Sequence, residues 1–186
     1  MKFNIEEKLE TTVQTLRNWK CVKLVLPIPT TYLEVNGHQK NLPSSLEGFK
    51  KFTSPYILYK EQKYYWFHAK FHVDELKEHQ KVYLSIETFI NGVASTIRPQ
   101  GLLYLNGELV QGIDINHTDV LLKQSGDYEM YLLFYTHIFG FSIPLYFSLK
   151  YVDERTESLY YDFATILDSL KMLKKDDPNY LLCFEK

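Results

Sequence analysis

The spacing of apolar residues indicates a short helix at the start of the chain. In residues 4–17, large apolar side chains recur every three or four positions, at Ile5, Leu9, Val13 and Leu16. This period is typical of an amphipathic helix, and Asn4 followed by Glu7 matches a capping box. Because a helix of this length is unstable alone in water, we expect it to pack on this domain or on a partner.

From residue 20 onward the period shortens to two, which is typical of half-buried strands. The clearest example is residues 64–73, where one face would carry Tyr65, Phe67, Ala69, Phe71 and Val73 and the other Trp66, His68, Lys70 and His72. Asn-Gly pairs at positions 36–37, 91–92 and 106–107 are hairpin signals, because both residues tolerate a positive φ. Residues 40–55 are rich in Pro, Ser and Gly and are expected to form a loop that packs on the sheet or shapes a surface.

The order of these elements predicts the fold class. About ten short strands separated by turn residues, with no helices between them, favour an antiparallel β-sandwich or jelly roll. After Asp153 the helical period returns, with Thr156 as the expected cap and an apolar stripe from Leu159 to Leu173. A second helix is expected to start near Pro178, and because it has hardly begun at Lys186, we expect the natural protein to continue.

Three segments follow from these patterns. Residues 1–18 are predicted to form an N-terminal helix, residues 19–153 a β-sandwich domain, and residues 154–186 a helical segment that leads toward a further domain. The predicted fold is therefore mainly β, with an N-terminal helix and one or two C-terminal helices.

Composition narrows the class of protein further. Of 186 residues, 45% are apolar and 24% charged, as in an ordinary globular protein, and 16% are aromatic, which favours strands over a helical bundle. A formal net charge of −2 gives no electrostatic reason to expect nucleic acid or an anionic membrane as a partner. The chain has two cysteines and neither a signal-peptide pattern nor a membrane-spanning apolar run, so we expect a cytoplasmic protein.

One stretch of the chain resembles a known family. Residues 104–122 read Tyr-x-Asn-Gly-Glu-x-x-Gln-Gly-x-Asp-x-Asn-His-x-x-x-Leu-Leu. This pattern is similar to the N-terminal β-domain of the vacuolar and bacterial α-mannosidases of glycoside hydrolase family 38. Two further landmarks follow the family order, Tyr65-Trp66-Phe67 upstream and Leu159-Tyr160-Tyr161-Asp162 downstream, so the resemblance covers roughly residues 64–175.

The resemblance implies a galactose-binding-like β-sandwich that forms the non-catalytic front portion of an enzyme hydrolysing terminal α-mannosidic bonds. It implies a divalent metal, zinc, in a catalytic domain outside this chain. The metal signature of the family, His-x-His-x-Asp, and its nucleophile segment have no counterpart here. No catalytic residue and no metal ligand are therefore assigned to this chain, and the chain alone is expected to be inactive.

The partner implied by the resemblance is the catalytic domain of the same polypeptide. The β-sandwich would dock on that domain, form one side of the entrance to it and contribute to a homo-oligomer interface. Two other classes stay open from the residues alone. One is a free-standing carbohydrate-binding module, and the other is a plain protein-interaction domain.

The Gly-initiated loop 112–117 carries the most conspicuous polar residues, Asp114, Asn116 and His117, with Asp119 close behind. A carboxylate and an imidazole so close together could bind a metal or act as an acid–base pair. They could equally hold the loop together, because Asp and Asn side chains accept hydrogen bonds from backbone amides two residues on. The structural role is our preferred interpretation, followed by a contact with the neighbouring catalytic domain.

Aromatic side chains offer a second candidate surface. Trp66, with Tyr64, Phe139 and Phe141, would suit stacking on a sugar ring if exposed, whereas rings that face a neighbouring domain are the alternative. His68 and His72 would lie about 13 Å apart on one strand face, too far to hold one ion together. The candidate binding residues, for a sugar or a domain interface, are therefore Trp66, Asp114, Asn116 and His117.

Overall fold

The structure, a computed structural model, describes residues 5–53, 56–58, 62–88, 100–114, 116–136 and 143–173. Two antiparallel sheets make up most of the described chain, with one helix before them and one after them. The predicted fold class, a mainly β sandwich with terminal helices, is confirmed. The Asn-Gly pair at 91–92, the cap expected at Asn4 and the helix expected near Pro178 lie outside the described residues.

The described elements are two helices and eleven strands. Helix α1 spans Ile5–Trp19 and helix α2 spans Glu154–Met172. The strands are β1 Cys21–Val25, β2 Thr30–Val35, β3 Lys50–Phe52, β4 Tyr56–Leu58, β5 Tyr64–Val73, β6 Gln80–Thr88, β7 Gln100–Leu105, β8 Glu108–Ile113, β9 Asp119–Leu122, β10 Gly126–Tyr135 and β11 Ile143–Asp153. One sheet runs β1-β11-β6-β9, with β4 also paired to β11, and the six-stranded sheet runs β3-β2-β5-β10-β7-β8.

The chain divides into two compact units. The first comprises the described parts of residues 1–23, 77–81 and 151–186 and contains both helices. The second comprises the described parts of residues 24–76 and 82–150 and contains most of the strands. We refer to them as the helical unit and the β unit.

A cluster of aromatic rings forms the core of the β unit. Phe67 is fully buried, with its ring centroid 5.2 Å from that of Phe52, 5.5 Å from Phe147 and 6.0 Å from Phe134. Phe147 belongs to the five-stranded sheet, whereas the other three belong to the six-stranded sheet. The inner faces of the two sheets therefore meet through these rings, as in a sandwich.

Strand β10 sets the register of the six-stranded sheet. It pairs along its whole length with β5, from Gly126 opposite Val73 to Tyr135 opposite Tyr64. The bounds of β5 agree with the strand predicted over residues 64–73. Because the inward side chains of β5 are those around Phe67, the alternate residues face away from the sandwich.

The turn at Asn106-Gly107 is a two-residue hairpin, as predicted. The backbone φ is 51° at Asn106 and 87° at Gly107, and the mirror-image turn that suits strand twist needs two positive values. The side-chain oxygen of Asn106 also accepts a hydrogen bond from the backbone N–H of Glu129 at 2.9 Å. The asparagine is therefore tied to the neighbouring strand β10.

The other described Asn-Gly pair behaves differently from the prediction. Positions 36–37 do not form a tight hairpin, because the chain returns to pair with β2 only at β3. Strand β3 lies inside the stretch predicted as a loop, so that prediction is corrected there. Within this loop, Phe49 packs on the sheet, with its ring 6.2 Å from His68. Just before the loop, the ring of His38 lies 6.0 Å from Tyr64.

In the helical unit, α2 has a side-chain cap at its N-terminus and packs on α1. The carboxylate of Asp153 accepts hydrogen bonds from the backbone N–H and the hydroxyl of Thr156, both at 2.8 Å, so Asp153 is the cap of α2. The prediction of Thr156 as the cap is wrong by three positions. Helix α1 packs on α2, and a salt bridge of 2.8 Å joins Glu10 to Lys171. Neither helix, within the described residues, is long and apolar enough to cross a membrane.

Replacement of Phe67 by alanine tests the aromatic core. We expect the Phe67→Ala variant to lose about 3–5 kcal/mol of unfolding free energy, because it removes a fully buried ring and leaves a cavity. Leu121→Ala is the control, since the Leu121 side chain is 44% exposed, and its effect should stay within about 0.5 kcal/mol. Urea unfolding followed by circular dichroism measures both, and equal effects would contradict the assigned core.

Candidate functional site

A cleft of about 620 Å³ opens on the outer face of the six-stranded sheet, entirely within the β unit. Cross-strand neighbours form its floor in two rows, one of Tyr64, Tyr135 and Gln100 and one of Leu133, Leu102 and Gly112. The loop after β8 supplies the wall with Gln111, Asp114 and His117, and His38 lies near Tyr64. This volume is in the range of small-molecule sites, roughly 300–1,000 Å³.

Asp114 organises the wall of the cleft. Its Oδ1 atom accepts three hydrogen bonds, from the backbone N–H of Asn116 at 2.7 Å, the backbone N–H of His117 at 2.9 Å and the Nδ1 of the His117 ring at 2.9 Å. A carboxylate that accepts from the amide two residues on forms an Asx turn. The side chain of Asp114 therefore holds this loop together, as the structural interpretation of the sequence expects.

These hydrogen bonds also favour the ionised form of the Asp114 side chain. The backbone N–H of Asn116 makes the largest contribution and His117 adds to it, so the pKa of Asp114 is lowered although slight burial acts in the opposite direction. An ionised carboxylate can only accept hydrogen bonds. In the hydrogen bond between Asp114 Oδ1 and His117 Nδ1, the proton is therefore on Nδ1. In the neutral ring, Nε2 is then an acceptor.

Two acceptor atoms of this loop remain available for a ligand. Neither Oδ2 of Asp114 nor Nε2 of His117 has a hydrogen-bond partner among the described residues. Both residues line the cleft, and their side chains are 40% and 65% exposed. The wall of the cleft is therefore suited to a ligand that donates hydrogen bonds.

Trp66 is buried, whereas stacking on a sugar would require its ring to be exposed. The residue is only 2% exposed, and its ring centroid is 5.9 Å from that of Tyr104 and 6.2 Å from that of Tyr131. Its face is thus not available to a ligand, and the expectation of an exposed Trp66 is wrong. Tyr64, in contrast, lines the cleft, whereas Phe139 and Phe141 lie outside the described residues.

The other polar candidates do not converge on this cleft. Asn116 is exposed and contributes its backbone N–H to Asp114. Asp119 belongs to the five-stranded sheet, where it accepts a hydrogen bond of 2.5 Å from the Ser85 hydroxyl. The two histidines of β5 each contact their own carboxylate, His68 with Glu129 at 2.9 Å and His72 with Asp127 at 2.7 Å. Across the described ranges, no three His, Cys, Asp or Glu side chains gather as metal ligands.

Four lining residues with polar side chains were not predicted from the sequence to belong to a site, His38, Gln100, Gln111 and Tyr135. Counting outward from the turn at Asn106-Gly107 would place Leu102 opposite Gln111. A bulge between Leu103 and Tyr104 shifts the register, so Leu102 lies opposite Gly112 instead. The bulge therefore moves the following loop by one residue, and no local pattern in the sequence marks it.

The fold and the cleft define a class, an antiparallel β-sandwich with a ligand-sized cleft on the outer face of one sheet. Comparison with models of protein families finds no match to the chain. Comparison with curated proteins finds no match either.

A carboxyl NMR titration tests the hydrogen-bonding of Asp114. Because its pKa is lowered on folding, the midpoint should lie below the ordinary value of about 3.9. The stability that it contributes is complete above that ordinary value and is lost as the pH falls through the lower, folded pKa.

The His117→Ala variant serves as the internal comparison for this titration. It should raise the midpoint only part of the way to the ordinary value, because the backbone N–H groups still donate to Oδ1. A midpoint at or above about 3.9 in the unchanged protein would contradict the geometry of the loop.

Proposed function

We propose that this chain is the non-catalytic β-sandwich domain of an α-mannosidase of the family 38 type. In this proposal the chain docks on a catalytic domain of the same polypeptide and helps to shape its mouth. That catalytic domain holds the zinc ion and cleaves the mannosidic bond, so this chain carries no catalytic step. A cytoplasmic location and a homo-oligomer interface belong to the same proposal.

The observation that carries the docking role is the apolar surface of the helical unit. Leu159 and Ile166 are 48% and 40% exposed on α2, and a spacing of seven residues puts both on one side of the helix. Helix α1 has no buried residue, although Leu9, Val13 and Leu16 are partly covered. Large apolar side chains left exposed along one side of a helix are the usual mark of an interface.

The mannosidase class rests on the resemblance and on where its residues lie. The motif of residues 104–122 covers the Asn106-Gly107 turn and the loop held by Asp114, two features with defined geometry. The downstream landmark, Leu159 to Asp162, lies in the second turn of α2 and includes one of the exposed residues. Two of the three landmarks of the resemblance therefore lie at a tight turn with a cleft wall and on the exposed side of α2, whereas the upstream landmark, Tyr65 to Phe67, is buried in β5.

A second candidate function is favoured by a different observation. The cleft on the six-stranded sheet, with an apolar floor and polar wall, fits a carbohydrate-binding module. Such a module would not need the exposed face of α2. The two functions can also coexist in one domain, because docking and ligand binding would use different residues.

Sequencing the natural transcript beyond codon 186 tests the proposed parent enzyme. We expect an open reading frame that encodes His-x-His-x-Asp after a linker. The purified 186-residue chain should leave a chromogenic α-mannoside intact, whereas the protein expressed to its natural end should cleave it. A stop codon directly after Lys186 would overturn the proposal in favour of a free-standing domain.

Paired substitutions on α2 test the docking face. We expect Leu159→Gln with Ile166→Gln to change the stability of the isolated chain by less than about 1 kcal/mol, because both side chains are exposed. In the protein expressed to its natural end, the same pair should lower the melting temperature and weaken the contact between the domains.

The matched control is Ser158→Gln with Thr165→Gln, a pair of exposed positions at the same spacing on another side of α2. This control pair should leave both proteins unchanged. Differential scanning calorimetry measures both pairs. Identical effects of the two pairs on the longer protein would contradict docking through Leu159 and Ile166.

A further inference from the structure

We infer that the cleft on the six-stranded sheet binds the ring of a neutral saccharide, with its hydroxyl groups donating to Oδ2 of Asp114 and Nε2 of His117. This inference rests on the second candidate function and deepens it, because it names the class of ligand and the atoms that would bind it. It does not depend on the docking role, so it holds or fails independently of the parent enzyme.

The charge of the lining selects against ionic ligands. Among the described lining residues there is one carboxylate, Asp114, and no Lys or Arg. A phosphate or carboxylate ligand would meet this negative charge without a compensating cation. A metal cation would find a single carboxylate whose Oδ1 already accepts three hydrogen bonds. A neutral ligand avoids both penalties.

The polar atoms of the lining suit hydroxyl groups. Oδ2 of Asp114 and, in the neutral ring, Nε2 of His117 are acceptors without partners among the described residues, and both residues line the cleft. The amides of Gln100 and Gln111 add groups that can either donate or accept. A sugar hydroxyl does both, so several neighbouring hydroxyls match this mixture better than a ligand with donors or acceptors only.

The floor of the cleft suits the C–H face of a pyranose. The rings of Tyr64 and Tyr135 lie 4.7 Å apart with a tilt of 30° between their planes. Next to them, Leu133 and Leu102 occupy neighbouring positions on adjacent strands. An apolar floor beneath polar walls favours a ligand with one apolar face and polar edges.

Gly112 keeps the floor open. A Cβ atom built at this position would have no heavy atom closer than 4.0 Å, and that neighbour is the carbonyl oxygen of Gly101. Since Gly112 lines the cleft, a large side chain there would occupy the space of the ligand. The hydrogen bonds of Asp114 would stay in place, so this position separates the volume of the cleft from the chemistry of its wall.

The test is an NMR titration of the isolated, amide-labelled chain with methyl α-mannopyranoside and, separately, methyl β-galactopyranoside. We expect at least one of them to cause saturable shifts in residues 111–117 and 133–135, with an affinity in the millimolar range. Mannose 6-phosphate should bind more weakly than the neutral sugars, because its phosphate approaches the Asp114 carboxylate.

Two variants locate the binding site. Asp114→Asn keeps an oxygen for the loop but replaces the free acceptor by a donor, and it should weaken binding roughly tenfold or more. Gly112→Leu should abolish binding by filling the cleft. Asp127→Asn is the matched control, because Asp127 forms the same kind of pair with His72 on the same sheet, outside this cleft, and it should leave the affinity unchanged. Melting temperatures establish that each variant is folded.

Three results would overturn the inference. They are the absence of shifts with both neutral sugars, binding that survives Gly112→Leu, and tighter binding of the phosphorylated sugar. None of these results bears on the parent enzyme, which is tested by the downstream reading frame. Conversely, a stop codon after Lys186 would leave a saturable, Gly112-dependent titration fully intact.

Discussion

The pairing of β10 with β5 on one side and β7 on the other is the constraint on which the β unit depends. The ten residue pairs between β10 and β5 assign each side chain to one of two faces. Phe134 and Phe67 thereby point into the sandwich, while Tyr135 and Leu133 form the floor of the cleft. Because a slip of one residue would exchange the two faces, the aromatic core and the cleft are consequences of one register.

Local sequence patterns predicted the features that depend on neighbouring residues. The bounds of β5 and the positive φ values at Asn106-Gly107 follow from alternation and from turn chemistry. The burial of Trp66 could not be predicted in this way. Its face is covered by Tyr104 and Tyr131, which come from two strands far along the chain. An outward position on a strand therefore predicts exposure only where nothing from a distant strand covers it.

The outer face of the six-stranded sheet has two halves of different character. In one half, His68 is buried beneath Phe49 and contacts Glu129, which Lys70 also approaches at 3.3 Å. The hydrogen bond from His68, with a further one from Lys70, lowers the pKa of Glu129 against the effect of burial. These polar groups satisfy one another. In the other half, Tyr135 and Leu133 lie under an open cleft whose wall keeps two acceptors without partners among the described residues.

Asp114 and Asp119 are the same type of residue, but they differ in how many of their hydrogen-bonding atoms already have partners. This difference distinguishes a candidate binding site from a structural network. Asp119 accepts from the Ser85 hydroxyl and lies 3.5 Å from the ammonium of Lys150, which also contacts Glu87. Burial alone would lower the pKa of Lys150. The hydrogen bonds and negative charges of Glu87 and Asp119 outweigh this effect, so the pKa of Lys150 is raised. Such a network leaves little capacity for a ligand. The partners of Asp119, Ser85 and Lys150, lie on β6 and β11, which are distant in sequence. Only the tertiary structure therefore shows that Asp114, and not Asp119, lines an open cleft.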